Sequence, residues 1–461
     1  MDPILRSEVE DNLTIDHPDV LDTFFGKISQ LHEVTAAVLE SCKDAELFQE
    51  GVGWAGWPEG CEETAVLQFL RCHIDQFLLL ADEHGFRPSK RRRCITTPNK
   101  PIPGSISKRK LDVGLAYNAN NELEEGNRHS YDWSHILVPG ELKSNPREDN
   151  HSSTWLDIVR YGREIFSAQD TRRFILGFTL CGSIMRLWEF DRLGVVGSTP
   201  FDINEEGETF VMVVLGCLWM TEEELGFDPT IVEGGGSYIH IRRNGQTERI
   251  WLEELMRRQR SVAGRATRCW RGSFRDGAGR ELVIKDSWEY EERPEEGLLL
   301  KEATEADVKN VARYYHHETV LTNDEVDDVL TNVQRGLSDT VGQNPLQQRR
   351  VAHSEAIISS KTSSPSGARR GRSRSSSRTM PRKRSSSSIQ ASMRPPIRSC
   401  SDSPVKQDMH RRRNRVHHQL IMQDFGKSIY KSSSPRGILV GLLGGIKGKC
   451  LTKLSGPQLI S

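Results

Sequence analysis

Two groups of residues in this 461-residue chain have the types and the spacing to do chemistry. The first is Leu282-Val283-Ile284-Lys285, with Glu295 and Glu296 a short way on. An apolar run of strand character ends in a lysine, and Pro294, a residue suited to a first helical turn, leads into an acidic helix start. A lysine fixed at a strand end and held by a carboxylate from the next helix is a positioned cation for phosphate. The second group is Asp112, in Leu111-Asp112-Val113, with Glu141 and Lys143 in Gly140-Glu141-Leu142-Lys143. Strand alternation places Glu141 and Lys143 on one face. Asp112 and Glu141, at the ends of neighbouring strands, would take Mg²⁺ as hard oxygen ligands, and Lys143 would orient or help deprotonate a water attacking a scissile phosphate. Taken alone, Val-Ile-Lys is more commonly a strand lysine facing water, and Glu-x-Lys is as readily an exposed ion pair.

The elements around these residues must hold them in place. Val20, Leu21, Phe24, Phe25 and Ile28, then Val66, Phe69, Leu70, Ile74, Phe77 and Leu78, follow helical spacing. Apolar runs at 110–116, 135–138, 174–181, 185–190 and 210–218 read as strands, and Ile158, Tyr161, Ile165 and Phe166 as a helix among them. This order predicts an α/β layer with one mixed sheet. A second unit begins near Tyr238, with strands at 238–242, 266–272 and 281–285, a turn at 276–279, and helices from about Pro294 and over 306–315. The alternation returns at 416–425, and 432–446 reads as the start of a helix. The expected fold class is α+β.

Composition bounds the setting. The net charge of −1 hides an acidic body up to about residue 340 and a basic remainder. Residues 343–413 hold Ser/Arg runs such as Arg369–Arg378 and Pro381-Arg382-Lys383-Arg384, which cannot bury enough apolar surface to offset ordering entropy, so disorder is expected. Those clusters suit nuclear import, RNA binding or phosphorylation of serines such as Ser363, Ser364 and Ser403, and equally a solvated linker. No aromatic residues interleave for base stacking, so sequence-specific RNA reading is not expected. The nine cysteines form no Cys-x-x-Cys pair and read as reduced thiols in an intracellular protein, nuclear or cytoplasmic. Met1–Arg6 does not read as a secretory signal, and no apolar run approaches the roughly 20 residues of a membrane helix, so no membrane partner is expected.

Several stretches occurring in order carry a resemblance. Gly140-Glu141-Leu142-Lys143, Leu187-Trp188-Glu189-Phe190-Asp191-Arg192, Gly264-Arg265-Ala266-Thr267, Val283-Ile284-Lys285-Asp286-Ser287-Trp288, Val311–His317, Asn414–His418 and Asp424–Lys431 together resemble the fungal-type protein kinase family. That resemblance implies ATP-dependent phosphoryl transfer to protein in full-length relatives. It implies nucleotide contacts from Lys285, Glu296, Gly264 and Thr267, although the loop at 261–267 carries one glycine where kinases carry three. After Leu442–Gly448, where relatives run on to a His-Arg-Asp loop, the chain turns to Lys449–Ser455 and ends. The expectation is therefore an inactive, C-terminally truncated kinase-like chain, with ATP bound weakly or not at all, Mg²⁺ possible, and a protein substrate or partner that the sequence does not identify. Asp424-Phe425-Gly426 precedes any catalytic loop, so it is not read as the magnesium motif. Separately, Asp112 with Glu141-x-Lys143 resembles the restriction-endonuclease-like superfamily, which makes a metal-dependent nuclease the alternative function and a scaffold acting through the basic insertion a further one. The expected domains are a helical region (1–104), an endonuclease-like domain (105–235), a kinase-like small lobe (236–342), the insertion (343–413), the end of the lobe (414–448) and a divergent tail (449–461).

Overall fold

A computed structural model describes residues 3–87, 92–96, 100–105, 109–117, 131–275, 280–337 and 413–424, with isolated positions at 344, 434, 436, 439 and 442–444. The Ser/Arg-rich insertion, the turn at 276–279, Phe425 and Gly426, the tail, and most of the helix expected over 432–446 lie outside the described residues. The fold is α+β.

The first sheet contains Leu13–His17 (β1), Arg92–Ile95 (β2), Val113–Tyr117 (β3), Ile136–Lys143 (β4), Ile175–Cys181 (β5), Ile184–Phe190 (β6) and Val195–Ser198 (β7). Its spatial order is β1-β7-β6-β5-β4-β3-β2. The β1–β7 and β4–β5 pairs are parallel and the other pairs along this path are antiparallel, so the sheet is mixed. The helices of this region are Pro3–Val9 (α1), Val20–Phe25 (α2), Leu31–Asp44 (α3), Glu63–Glu83 (α4), Ser152–Ala168 (α5) and Gly207–Trp219 (α6). On α4 the buried residues Val66, Phe69, Leu70, Ile74 and Phe77 repeat at helical spacing, as their pattern predicts. They pack with Val38, Val214 and Leu187 in one core cluster. Ile158, Ile165 and Phe166 of α5 join Ile136 and Trp188 in a second. Neighbouring Leu187 and Trp188 feed different clusters because successive strand side chains point to opposite faces.

Helix α6 corrects one expectation: 210–218 is not a strand. Nearly every side chain of this apolar run is buried, so no polar face remains to betray a period, and periodicity cannot separate a buried helix from a buried strand. The helix also packs very closely. A Cβ at Gly216 would lie 2.3 Å from the Phe25 ring, so glycine is what permits the approach. Arg92 of β2 reaches the helix end and donates to the carbonyls of Cys217 (3.2 Å) and Leu218 (3.1 Å), which no intrahelical donor serves.

The second sheet is antiparallel. It contains Ser237–Arg243 (β8), Gln246–Arg258 (β9), Arg268–Ser273 (β10), Glu281–Tyr290 (β11), Tyr314–Thr319 (β12) and Arg415–Met422 (β13), in the order β8-β9-β10-β11-β13-β12. Helix α7 (Glu296–Glu305) connects β11 towards β12. The helix expected over 306–315 is absent. Ala306 caps α7, and Asp307 (φ 49°) and Asn310 (φ 61°) take left-handed backbone that a helix cannot continue through, so Tyr314 and Tyr315 begin β12 instead. Ile239, Ile250, Trp270, Leu282, Ile284 and Ile421 form this sheet's own core. The two sheets are not independent: Trp288 and Ala266 belong to the first core cluster, and Val262 to the second.

Candidate functional site

The register of β3 and β4 pairs Val113 with Gly140, which sets Asp112, one residue earlier, against Glu141. The backbone N–H of Leu142 donates to Asp112 Oδ2 at 3.1 Å. Lys143 Nζ lies 2.6 Å from Glu141 Oε1 and 3.2 Å from Asp157 Oδ2, and Arg160 Nη1 lies 2.7 Å from Asp157 Oδ1. The sequence-predicted trio therefore meets, and α5 adds Asp157, Arg160 and Tyr161. Glu141 is 4% exposed, with Tyr161 and Asp112 beside its carboxylate. Burial, with the Asp112 carboxylate beside it, pushes the Glu141 carboxyl up to about 7. Burial raises Asp112 as well. For Lys143, burial opposes the charge, but Glu141 and Asp157 outweigh it and push the ammonium up. A solvent-open recess of about 450 Å³, lined by Cys61, Glu63, Leu142 and Lys143 among others, adjoins the cluster. Of the predicted trio, Lys143 lines this recess; Asp112 and Glu141 do not.

The second cluster stands on β11 and α7. Lys285 Nζ contacts both carboxylate oxygens of Glu296. Glu296 is the first residue of α7, with Glu295 as its N-cap and Pro294 just before it. The helix can bring Glu296 this close because Gly297 has no side chain: a Cβ there would lie 2.3 Å from His317 of β12. Glu295 faces His317 Nε2 at 3.6 Å rather than Lys285. Glu296 has a second cation, since Arg265 Nη2 donates to its Oε2 at 2.9 Å and also contacts Glu289. Burial opposes ionisation of Glu296, but Lys285 and Arg265 hold its carboxyl below the usual range. A recess of about 260 Å³ opens beside the pair, lined by Lys285, Ser287, Glu289, Glu296, His317 and His418 among others. Gly264 and Thr267 lie in the loop between β9 and β10. The Gly264 N–H donates to the Arg192 carbonyl (2.9 Å), and the Thr267 carbonyl accepts from the Gln259 N–H (2.9 Å). Asp424, just past β13, is tied to Arg313 through its backbone N–H (2.6 Å) and its guanidinium (2.8 Å).

On the opposite face of β11, one residue past Lys285, Asp286 enters a buried network that no sequence pattern predicts. His417 of β13 places Nε2 2.8 Å from Asp286 Oδ2 and Nδ1 2.9 Å from Asp327 Oδ2. Trp288 stacks on the ring, with centroids 4.7 Å apart and planes 4° apart. Arg173 donates to Asp327 at 2.9 Å. Burial opposes protonation of His417, but the two aspartates prevail and push it up to about 10. The ligand atoms of Asp228, Asp286 and His417 lie within 4.8 Å of one another, a spacing that could hold a metal ion. With both ring nitrogens committed to carboxylates, the group reads instead as a buried imidazolium clamp.

Some of these additional residues do carry a sequence signal. Asp157, Arg160 and Tyr161 stand at i, i+3 and i+4 and so share a face of α5. Arg265 lies between the glycine and the threonine of Gly264-Arg265-Ala266-Thr267. Asp228, Asp327 and His417 come from distant segments and carry no local pattern.

A model of the fungal protein kinase family matches residues 110–453, most of the chain and parts of both sheets. No curated protein and no solved structure matches. Among the described residues no helix is long and apolar enough to cross a membrane.

Proposed function

The chain belongs to the fungal protein kinase family, and we propose that its second sheet grips the phosphates of a nucleotide through Lys285 held by Glu296. In protein kinases a lysine on a strand pairs with a glutamate from the following helix and neutralises the nucleotide phosphates. The observation that carries the reading is the Lys285–Glu296 ion pair, made from the strand that follows the β9–β10 hairpin and the helix that comes directly after. In this reading the second sheet is a kinase-like small lobe and ATP is the nucleotide. No metal ligand or catalytic base is assigned. Asp424, the aspartate of the Asp-Phe-Gly triplet, is held by Arg313, which agrees with reading that triplet as something other than the magnesium motif. The chain is expected to bind ATP. Fluorescent-nucleotide titration tests the binding: Lys285→Ala should weaken it about tenfold or more, and no difference from the parent chain would end the proposal. Robust transfer of radiolabelled phosphate, abolished by Lys285→Ala, would overturn the expectation of inactivity.

A second reading, a metal-dependent nuclease in an endonuclease-like first domain, is favoured by one observation. Asp112, Glu141 and Lys143 converge, with Glu141 buried among them. Mg²⁺ would be held by Asp112 and Glu141, and Lys143 would orient the attacking water. Incubation with DNA and Mg²⁺ or Mn²⁺ tests it: absence of cleavage, or cleavage indifferent to Asp112→Ala, counts against it.

A further inference from the structure

The loop between β9 and β10 occupies the place where a kinase wraps backbone N–H groups around phosphate, and here those groups are already engaged. The Val262 N–H donates to the Glu8 carboxylate, and the Gly264 N–H donates to the Arg192 carbonyl. From the other side, Arg192 Nη1 donates to the carbonyls of Ser261 (3.2 Å) and Val262 (3.3 Å). Val262 is fully buried in the first sheet's second core cluster. A backbone fastened at so many points cannot close over a ligand, so any contact from this loop must come from a side chain.

Arg265 is placed to make that contact. It sits between Gly264 (φ 130°) and Ala266 (φ 45°), two left-handed positions, the second strained for a residue with a Cβ. Its carbonyl accepts from the Trp288 N–H at 2.8 Å, which pins the residue against β11. Its Nη2 bridges Glu296 and Glu289, while its Nε is buried with no hydrogen-bond partner. Lys285 and Arg265 thus share a single carboxylate, and 37% of the Arg265 side chain stays exposed to solvent, where a ligand can reach it. A planar guanidinium matches phosphate geometry, which a point-charge lysine does not.

We infer that Arg265 is a second phosphate-gripping cation that works beside Lys285 and takes over the role of the loop's committed backbone N–H groups. This rests on the nucleotide reading above. The ligand class is the di- or triphosphate of a nucleotide; pyrophosphate shares the chemistry and serves as the separating arm.

The test is calorimetric titration of the full chain with ATP, adenosine and pyrophosphate, comparing the parent with Arg265→Ala, Arg265→Lys and Lys285→Ala. Arg265→Ala should weaken ATP and pyrophosphate about tenfold or more and leave adenosine unchanged, with Arg265→Lys recovering only part of the loss. Should the alanine variant fail to fold, Arg265→Gln, similar in length and uncharged, carries the same expectation. ATP binding untouched by Arg265→Ala but weakened by Lys285→Ala overturns the inference and leaves the nucleotide reading standing. Equal weakening of ATP and adenosine overturns it too, since that marks a residue that only shapes the loop. A parent chain that binds neither ATP nor pyrophosphate ends both proposals together.

Discussion

Lys143 and Lys285 each end a strand-borne motif and each touch a carboxylate, yet the charged groups around them are differently arranged. Around Lys143, the carboxylates Asp112, Glu141 and Asp157 face Lys143 and Arg160. Around Lys285, the cations Lys285 and Arg265 face Glu296 and Glu289, and Glu295 and Glu318 also line the recess. The first cluster has a carboxylate more than its cations, and burial, with the Asp112 carboxylate beside it, pushes Glu141 up to about 7. In the second, Lys285 and Arg265 together hold Glu296 ionised. One arrangement favours a protonated carboxyl and the other is the proposed phosphate grip, though both would be written as a lysine near an acid.

The largest expected effect comes from breaking what lies beneath the Lys285 cluster. Asp286 on the reverse of β11 is fixed by His417, which Asp327 holds from its other side. His417→Ala would leave two buried aspartates facing an emptied site, a class of change that costs about 3–5 kcal/mol. Chemical denaturation should show that loss near pH 6. The pH dependence has a definite sign. The folded value, about 10, lies above the ordinary 6.5, so the stabilisation is complete below pH 6.5 and is lost as pH rises through about 10. A parent stability that stays flat from pH 6.5 to 10 would show that the clamp holds no proton.

The next effect falls on the Lys143 side and tests whether its surplus carboxylate is real. Glu141 has a folded value of about 7 against an ordinary 4.5, so its contribution is complete below about pH 4.5 and lost as pH rises through 7. Glu141→Gln removes the charge and keeps the shape. The variant should match the parent near pH 4.5 and exceed it by about 3 kcal/mol or a little more at pH 8, because a tenfold change in proton affinity is worth about 1.4 kcal/mol. A variant less stable than the parent at pH 8 would mean that the ion pair with Lys143 outweighs the burial of Glu141, and the contrast between the two lysines would collapse.

Much of this contrast is legible in the sequence, for local reasons. Lys285 and Glu296 are eleven residues apart across one strand-to-helix turn, and Glu141 and Lys143 share a strand face, so pattern alone can bring each pair together. The helices at 20–25 and 63–83 are evident because each keeps a polar side. Helix α6 is not, since it is buried almost all round. Strand β9 escapes pattern reading because Ile250, Trp251, Leu252 and Leu255 lie among Arg and Glu residues without strict alternation, and two bulges shift its register. The clamp is illegible for a different reason. Asp228, Asp286, Asp327 and His417 meet only once both sheets are assembled, and nothing near any one of them in sequence records the other three.

The smallest effect sharpens the comparison most finely. Asp157 stands on α5 with its side chain 28% exposed and divides its carboxylate between Lys143 and Arg160. Partly exposed pairs of this kind contribute about 0.2–1 kcal/mol, so Asp157→Asn should cost under about 1 kcal/mol. Its more informative consequence is on Glu141. With Asp157 neutral, the Lys143 ammonium belongs to Glu141 alone, and a less divided counter-ion favours the ionised carboxyl. The Glu141 midpoint, followed by carboxyl NMR or by the pH dependence of unfolding, should drop below about 7. If it stays put, burial alone sets the Glu141 value, and the count of charges around Lys143 is the wrong way to distinguish it from Lys285.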